Sequence, residues 1–525
     1  MERPGRPSGG EKLEVAVAAD ARLAVIPGTI PLVLVAPHGG RRDPVRRPWG
    51  ASPLKMNDLH TAALTAELAA ATGAAAIINA ERDRNDVDLN RISDAHAGAP
   101  AFLERLAELL DGTIARHGRA TVVAIHGWNV IQPVVDLGLG CAPGDDPFAV
   151  GDRAAVSPRF AAGALRALVA ACATRGIDAT VGARYPARHR ENLVQLFTTR
   201  YRDDPRAVVR ALATLGARVD AVQMELGIVL RWPGPWRRRL VAACRDVLPA
   251  LVAPTPEAVA ASAIPAPRPI VPRRLQFVAP RLSGLVALDA GRGGRLLLFP
   301  PGGGLFLFTG ERLGLGRSRG LDVGADPNGV LHVRFAGPLL RFPDTRPFLD
   351  LEVGLAAADL VEAEVALDFT PAHAADGSGE FGRVTGTVTV DGSEDAIAGD
   401  AFAEDGPAAG PWPRFRAAVR VDETSLALTI PLDGGAATGF VCRDGRHVAV
   451  ASARAVFGSA DAPLDRVDVD VRLADGGRHA LSLQAVHRLP VVRARGASPV
   501  RIEFAACRHA TGRPHPAGWC EFGGS

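Results

Sequence analysis

Over roughly its first 250 residues this chain alternates two patterns. Short runs of aliphatic and β-branched residues, unbroken at 32–36 and 121–125 and carrying Gln223 and Glu225 at 221–226, are separated by alanine-rich stretches of helical period at 59–71, 101–117, 158–175, 205–217 and 236–251. Apolar runs without alternation are those of strands covered on both faces, so the pattern predicts an α/β domain with a mixed sheet between helices. From about residue 274 the period changes to two. Val384-Thr385-Gly386-Thr387-Val388-Thr389-Val390 alternates strictly and is followed by Asp391-Gly392, a tight-turn signal, and 417–421, 426–430 and 467–472 repeat the pattern. Many short antiparallel strands with glycine turns predict an all-β barrel or sandwich. Between the two regions lies a stretch with Pro254, Pro256, Pro265, Pro267, Pro269 and Pro272 among alanines, the composition of a stiff connector. The expected organisation is an α/β domain over 1–252, a linker over 253–273 and an all-β region over 274–525, divisible into units at 274–380 and 381–525.

Composition narrows the function classes. The chain has 525 residues, enough for two or three domains, with 47% hydrophobic and 22% charged residues, as in ordinary globular proteins. Its 60 basic and 57 acidic residues are well mixed and leave a formal charge of only +3, which argues against nucleic acid or an anionic membrane as partner. The six cysteines are too scattered for a thiolate zinc knuckle or a redox pair and read as free thiols. Neither a secretory signal nor a run of membrane-spanning length is visible, so a cytoplasmic location is expected.

The chemistry concentrates in the first domain. His38 follows the first strand and His126 ends the second, and side chains at the carboxyl ends of neighbouring strands converge on one crevice. Asp43, five residues after His38 across the glycine pair Gly39-Gly40, supplies an oxygen ligand, and Glu225 at the end of the third strand supplies a general base. The charged segment 81–91 places Arg84, Asn90 and Arg91 where a guanidinium fork and an amide meet a substrate carboxylate, with Asp88 holding one of the arginines. His60 at a helix start reads as a packing or capping residue, and His96 as a loop residue. The glycine-rich stretches 300–304 and 314–320 lack the strand-turn-helix setting of a phosphate loop and read as hairpin turns.

Pro37-His38-Gly39-Gly40 with an acid five residues after the histidine, Asn57-Asp58-Leu59-His60-Thr61, Arg84 spaced to Asp88-Leu89-Asn90-Arg91, a strand ending in His126, and Gln223-Met224-Glu225-Leu226 with Arg231 occur in one order. Together they resemble the N-formylglutamate amidohydrolase family, zinc carboxypeptidase-like hydrolases of phosphorylase/hydrolase-like fold, over about residues 28–252. The resemblance implies a metal-dependent amidohydrolase acting on non-peptide or isopeptide C–N bonds of a small acidic amide such as an N-acyl glutamate. It implies Zn²⁺ held by His38, Asp43 and His126, Glu225 as base, Arg84 polarising the scissile carbonyl, and Asn90 and Arg91 gripping the substrate carboxylate. In place of the family's glycine-rich substrate segment stands 183–192, whose Arg184, Arg188, His189 and Arg190 suit an acidic substrate; Arg188 and His189 are taken as further substrate contacts. In the second half, Phe381 to Gly392, Ile397 to Phe402 and Gly518 to Gly523 are similar to the calycin, lipocalin-like barrels of carotenoid hydratase and AttH-type proteins, which implies an apolar small molecule as a barrel ligand. The alternative to the enzyme is a protein whose barrel binds such a ligand beside a degenerate hydrolase domain.

Overall fold

In the computed structural model the described residues are 16–17, 22–39, 55–151, 154–249, 273–289, 293–301, 303–310, 320–346, 351–373, 379–405, 414–421, 424–443, 446–459, 462–495, 498–509 and 516–524. Residues 253–272 of the expected linker (253–273), Gly302 and residues 314–319 of the expected hairpin turns (300–304 and 314–320), and Asp43 lie outside them.

The first eight strands are β1 (Ala16–Val17), β2 (Leu23–Ile26), β3 (Leu32–Ala36), β4 (Ala75–Asn79), β5 (Ala120–Gly127), β6 (Val134–Gly138), β7 (Asp178–Val181) and β8 (Val219–Leu226). They form one sheet in the order β1-β2-β4-β3-β5-β8-β6-β7. The central β4-β3-β5-β8 run is parallel, β2 and β6 join it antiparallel, and β7 lies parallel to β6, so the sheet is mixed as expected. Every residue of β3, β4 and β8 is buried, which explains why apolar residues stand on both faces of these strands, with Asn79, Asp220, Gln223 and Glu225 as buried polar exceptions. Helices cover both faces. In Pro100–His117 the buried Phe102, Leu106, Leu110 and Ile114 recur every four residues, and Gly118 at φ 79° stops the helix by returning its N–H to the Ile114 carbonyl. His96 sits in a short helix, Ile92–Gly98, rather than a loop. Seven residues are too few for a period to show, and Ser93, Asp94 and Gly98 have loop composition.

The remaining strands make two closed rings. The first contains β9 (Arg273–Val278), β10 (Ser283–Asp289), β11 (Gly293–Phe299), β12 (Leu305–Thr309), β13 (Leu321–Ala325), β14 (Leu331–Phe342), β15 (Asp359–His373), β16 (Glu380–Val390) and β17 (Ser393–Asp405). One edge of β14 pairs with β15. Its other edge pairs with β13 at 331–335 and with β12 at 340–342. Following β9-β10-β11-β12-β14-β15-β16-β17 therefore returns to β9, closing eight strands with β13 attached outside. Asp391 (φ 49°) and Gly392 (φ 80°) join β16 to β17 as the two-residue turn the sequence signals. The consecutive strands β11 and β12, on either side of the glycine-rich stretch that begins at Pro300, pair antiparallel, a hairpin as expected.

The second ring is a barrel of β18 (Arg414–Val421), β19 (Thr424–Pro431), β20 (Thr438–Arg443), β21 (Arg446–Ser459), β22 (Ala462–Leu473), β23 (Arg478–Arg495), β24 (Ser498–His509) and β25 (Pro516–Gly524). Phe415, Val419, Leu426, Val441, Val467, Val469 and Leu483 pack as one apolar cluster. The change of ring falls between Asp405 and Arg414, whereas the sequence pattern placed a break at 380/381. Strands of both rings share period two, so alternation carries no information on which ring a strand joins.

Ion pairs and a buried indole tie the rings together. Arg274 of β9 lies 2.7 Å from Glu521 of β25 and 3.8 Å from Glu404 of β17, and Arg416 of β18 pairs with Glu404. Trp519 of β25 donates its indole N–H to the Phe277 carbonyl of β9 at 2.9 Å. Burial alone would raise the Glu521 carboxyl, but Arg274, Arg416 and Arg414 hold it below the usual range. Removing one partner of a buried pair leaves an uncompensated charge, at a cost of about 3–5 kcal/mol. Glu521→Gln is expected to lower the unfolding free energy of the barrels, read from a denaturant titration, by that amount at pH 7. Because the folded carboxyl titrates below the unfolded one, the contribution is present above about pH 4.3 and fades as pH falls through the folded value. The gap between wild type and variant should therefore narrow in acid.

Candidate metal and hydrolytic site

His38 stands two residues beyond β3 and His126 is the penultimate residue of β5, the neighbouring strand. Their rings meet edge to face with centroids 4.9 Å apart. Both rings are backed by glycines that leave room for close neighbours: a Cβ on Gly39 would stand 2.1 Å from the Asn79 carbonyl oxygen, and one on Gly127 would stand 2.6 Å from the Arg231 guanidinium and 3.0 Å from Asp58 Cβ.

The acid between the two rings is Asp58. Its backbone N–H bonds the His38 carbonyl at 2.9 Å, and its own carbonyl accepts the Thr61 hydroxyl at 2.6 Å, fixing the turn before helix Thr61–Thr72. Asp58 Oδ2 lies 3.2 Å from Nδ1 of His38 and 3.2 Å from Nδ1 of His126. One ligand atom from each of the three residues falls within 4.8 Å of the others, and all three are buried. Metal–ligand lengths of about 2.0–2.2 Å put neighbouring atoms around a tetrahedral zinc about 3.3–3.5 Å apart. The two 3.2 Å edges fit that cage. Asp88 Oδ1, 2.6 Å from His38 Nε2, takes the far side of the first ring, the carboxylate–histidine arrangement that orients metal ligands. His126 Nε2 is buried and finds no hydrogen-bond partner among the described residues.

The surrounding charges are ordered. Burial would raise the Asp58 carboxyl, but the two histidines and Arg84 hold it well below the usual range. Asp88 is lowered in the same way by His38, Arg84 and Lys55, against its burial. Arg84 donates to Asp58 Oδ1 at 3.2 Å and to the Met56 carbonyl at 3.1 Å, while its other terminal nitrogen stands 3.9 Å from Asp88; its buried Nε has no partner among the described residues. Glu225 sits in register with His126 on β5 and with Asp136 on β6. Burial pushes its carboxyl up to about 7, with Asp58 and Asp136 adding to the rise and His126 and Arg84 opposing it. Gln223 donates to Glu225 Oε1 at 2.9 Å and accepts from Asn192 at 2.6 Å. Asp136 accepts four bonds, from the Thr180 hydroxyl and the backbone N–H groups of Ala183, Arg184 and Tyr185, and so anchors the loop that carries Arg188 and His189.

Of the residues expected to bind substrate, Arg91 and His189 are brought together, 3.2 Å apart, and Arg188, which precedes His189 in the chain, is exposed. The Asn90 amide is spent internally, on Gln223 at 3.4 Å and the Leu193 N–H at 3.2 Å. Fully buried Arg231 clamps the carbonyls of Leu226, Leu59 and Trp128. His60 packs on Trp232 at 4.3 Å, as a packing residue should.

No protein-family model matches this chain, and no curated protein matches it either. Among solved structures it is similar to an N-formylglutamate amidohydrolase from Ralstonia eutropha JMP134 (13% identity, 44% of this chain and 97% of that one, TM-score 0.31). A second is the gene product Atu2144 from Agrobacterium tumefaciens (13% identity, 44% of this chain and 95% of that one, TM-score 0.28). A third is kievitone hydratase from Nectria haematococca (11% identity, 49% of this chain and 90% of that one, TM-score 0.26). Between them, these distant likenesses match both halves of the chain.

Proposed function

We propose that this protein is a zinc-dependent hydrolase of an amide bond in a small carboxylate-bearing substrate of the N-acyl glutamate type. The observation that carries this reading is the Asp58 oxygen 3.2 Å from a ring nitrogen of each histidine, with Asp88 behind the first. His38, His126 and Asp58 would hold the ion, and Asp43, expected as a ligand, is a further candidate outside the described residues. Zinc bound there supplies a Lewis acid that polarises the carbonyl and brings water towards a neutral pKa.

The chain's own groups do the rest. Glu225, buried with a raised pKa and aligned with His126, takes the proton of the attacking water and hands it to the leaving amine. Arg84 fixes Asp58, and its Nε, unpartnered among the described residues, is the donor offered to charge developing on the carbonyl oxygen. Arg91, His189 and Arg188 form the basic wall for the substrate carboxylate, while Asn90 braces Gln223 and the 193 backbone. Elemental analysis of purified protein should find about one zinc per chain. Hydrolysis of N-formyl- or N-acetyl-L-glutamate should disappear on chelation and return with zinc. Metal-free protein that gains nothing from added zinc overturns the proposal.

A further inference from the structure

The first β ring touches the site at several points. Glu352, in the short helix Leu351–Ala356 between β14 and β15, is buried and accepts from the Asn57 backbone N–H at 3.2 Å and from its side-chain amide at 3.1 Å. Asn57 is the residue before Asp58. Its side-chain oxygen accepts the Arg84 N–H at 3.0 Å, and its amide also reaches Asp83 at 3.2 Å. One side chain thus ties together the turn that presents Asp58 and the segment that presents Arg84. Nearby, Ile131 donates to the Thr309 carbonyl at 2.7 Å, four residues beyond the end of β5, the strand that carries His126. Trp232, which packs on His60, donates to the Ala358 carbonyl at 3.2 Å.

We infer that the first β ring is a structural wall of the metal site and that Glu352 is a positioning residue, setting Asp58 and Arg84 through Asn57. The inference rests on the proposed metal site. It gives the fused ring a role in hydrolysis that requires no ligand of its own. Both oxygens of Glu352 face Asn57: Oε2 accepts the backbone N–H at 3.2 Å and stands 3.4 Å from the amide nitrogen, and Oε1 accepts the amide at 3.1 Å, so the carboxylate offers each donor an acceptor of its own. Freed, Asn57 would no longer fix the turn, and the Asp58 oxygen would lose its alignment with the two imidazoles. Groups one step behind a metal ligand typically govern metal affinity by about 10–100-fold.

The test is a zinc titration of the full-length chain against a competing chelator, with wild type, Glu352→Gln, Glu352→Ala and Glu362→Gln. Glu362 accepts the Trp236 indole N–H at an exposed point of the same seam and does not touch Asn57, so its variant should bind as wild type does. Glu352→Ala should bind zinc at least tenfold more weakly, and Glu352→Gln, keeping one acceptor, should lie between it and wild type. Should the alanine variant fail to fold, the glutamine variant decides, with a threefold loss as the threshold. Wild-type affinity in a folded Glu352 variant, or an equal loss in Glu362→Gln, overturns the positioning role while leaving the metal site standing. Wild type that binds no zinc overturns both.

Discussion

Asp58→Asn is expected to abolish zinc binding and hydrolysis while the chain stays folded. The change keeps the shape of the side chain but removes the charge that two histidine nitrogens and Arg84 face at 3.2 Å each. Loss of a direct ligand should exceed the about 10–100-fold cost of disturbing a group one step further out, so zinc affinity should fall by more than about a hundredfold. A titration with a chromophoric chelator measures it. The informative comparison is Asp43→Asn, since Asp43 is the acid the sequence spacing favours. An Asp43 variant that loses zinc while the Asp58 variant retains it would transfer the ligand role to Asp43. Loss confined to the Asp58 variant would leave Asp43 outside the cage.

Why one acid is visible in the sequence and the other is not has a physical answer. His38, His126 and Glu225 belong to strands or directly follow one, and the ends of adjacent strands in a sheet converge by construction, so apolar runs announce them. Register then does the fine placement: pairing of β5 with β8 sets His126 beside Glu225 without any help from loops. Asp58 comes instead from the turn before a helix. It reaches the histidines through hydrogen bonds to His38 and within its own turn, contacts that no period in the sequence encodes. The motif Asn57-Asp58-Leu59-His60-Thr61 enters the sequence reading only as part of the family resemblance, which gives Asp58 no ligand role. Glu352 is harder still, since it meets Asn57 across 295 positions of chain. Fold class follows a similar division. The α/β alternation and the all-β second half are written in the two hydrophobic periods, whereas the closure of the first ring depends on one strand, β14, sharing its edge between two partners.

Glu225→Gln should separate chemistry from stability in opposite directions. Glutamine keeps an oxygen to accept the Gln223 amide now bonded at 2.9 Å, so the local network survives, but it cannot carry a proton from water to the leaving amine. Positioned proton transfer contributes about 10²–10⁴-fold, and kcat should fall by that factor with zinc content unchanged. Stability of the metal-free chain should move the other way. A carboxyl whose pKa rises from near 4.5 in the unfolded chain to about 7 in the fold binds its proton more tightly when folded, so the folded state loses stability as pH climbs through that interval, and the whole penalty is present above 7. Glutamine carries no such penalty. Chelator-treated wild type should therefore lose stability between pH 5 and 8 relative to the variant, and the variant should be the more resistant to urea at pH 8. A variant with full activity would remove Glu225 from the reaction. One that is less stable at pH 8 than wild type would mean that the buried carboxylate is compensated by its neighbours, and that the fold bears no strain for its base.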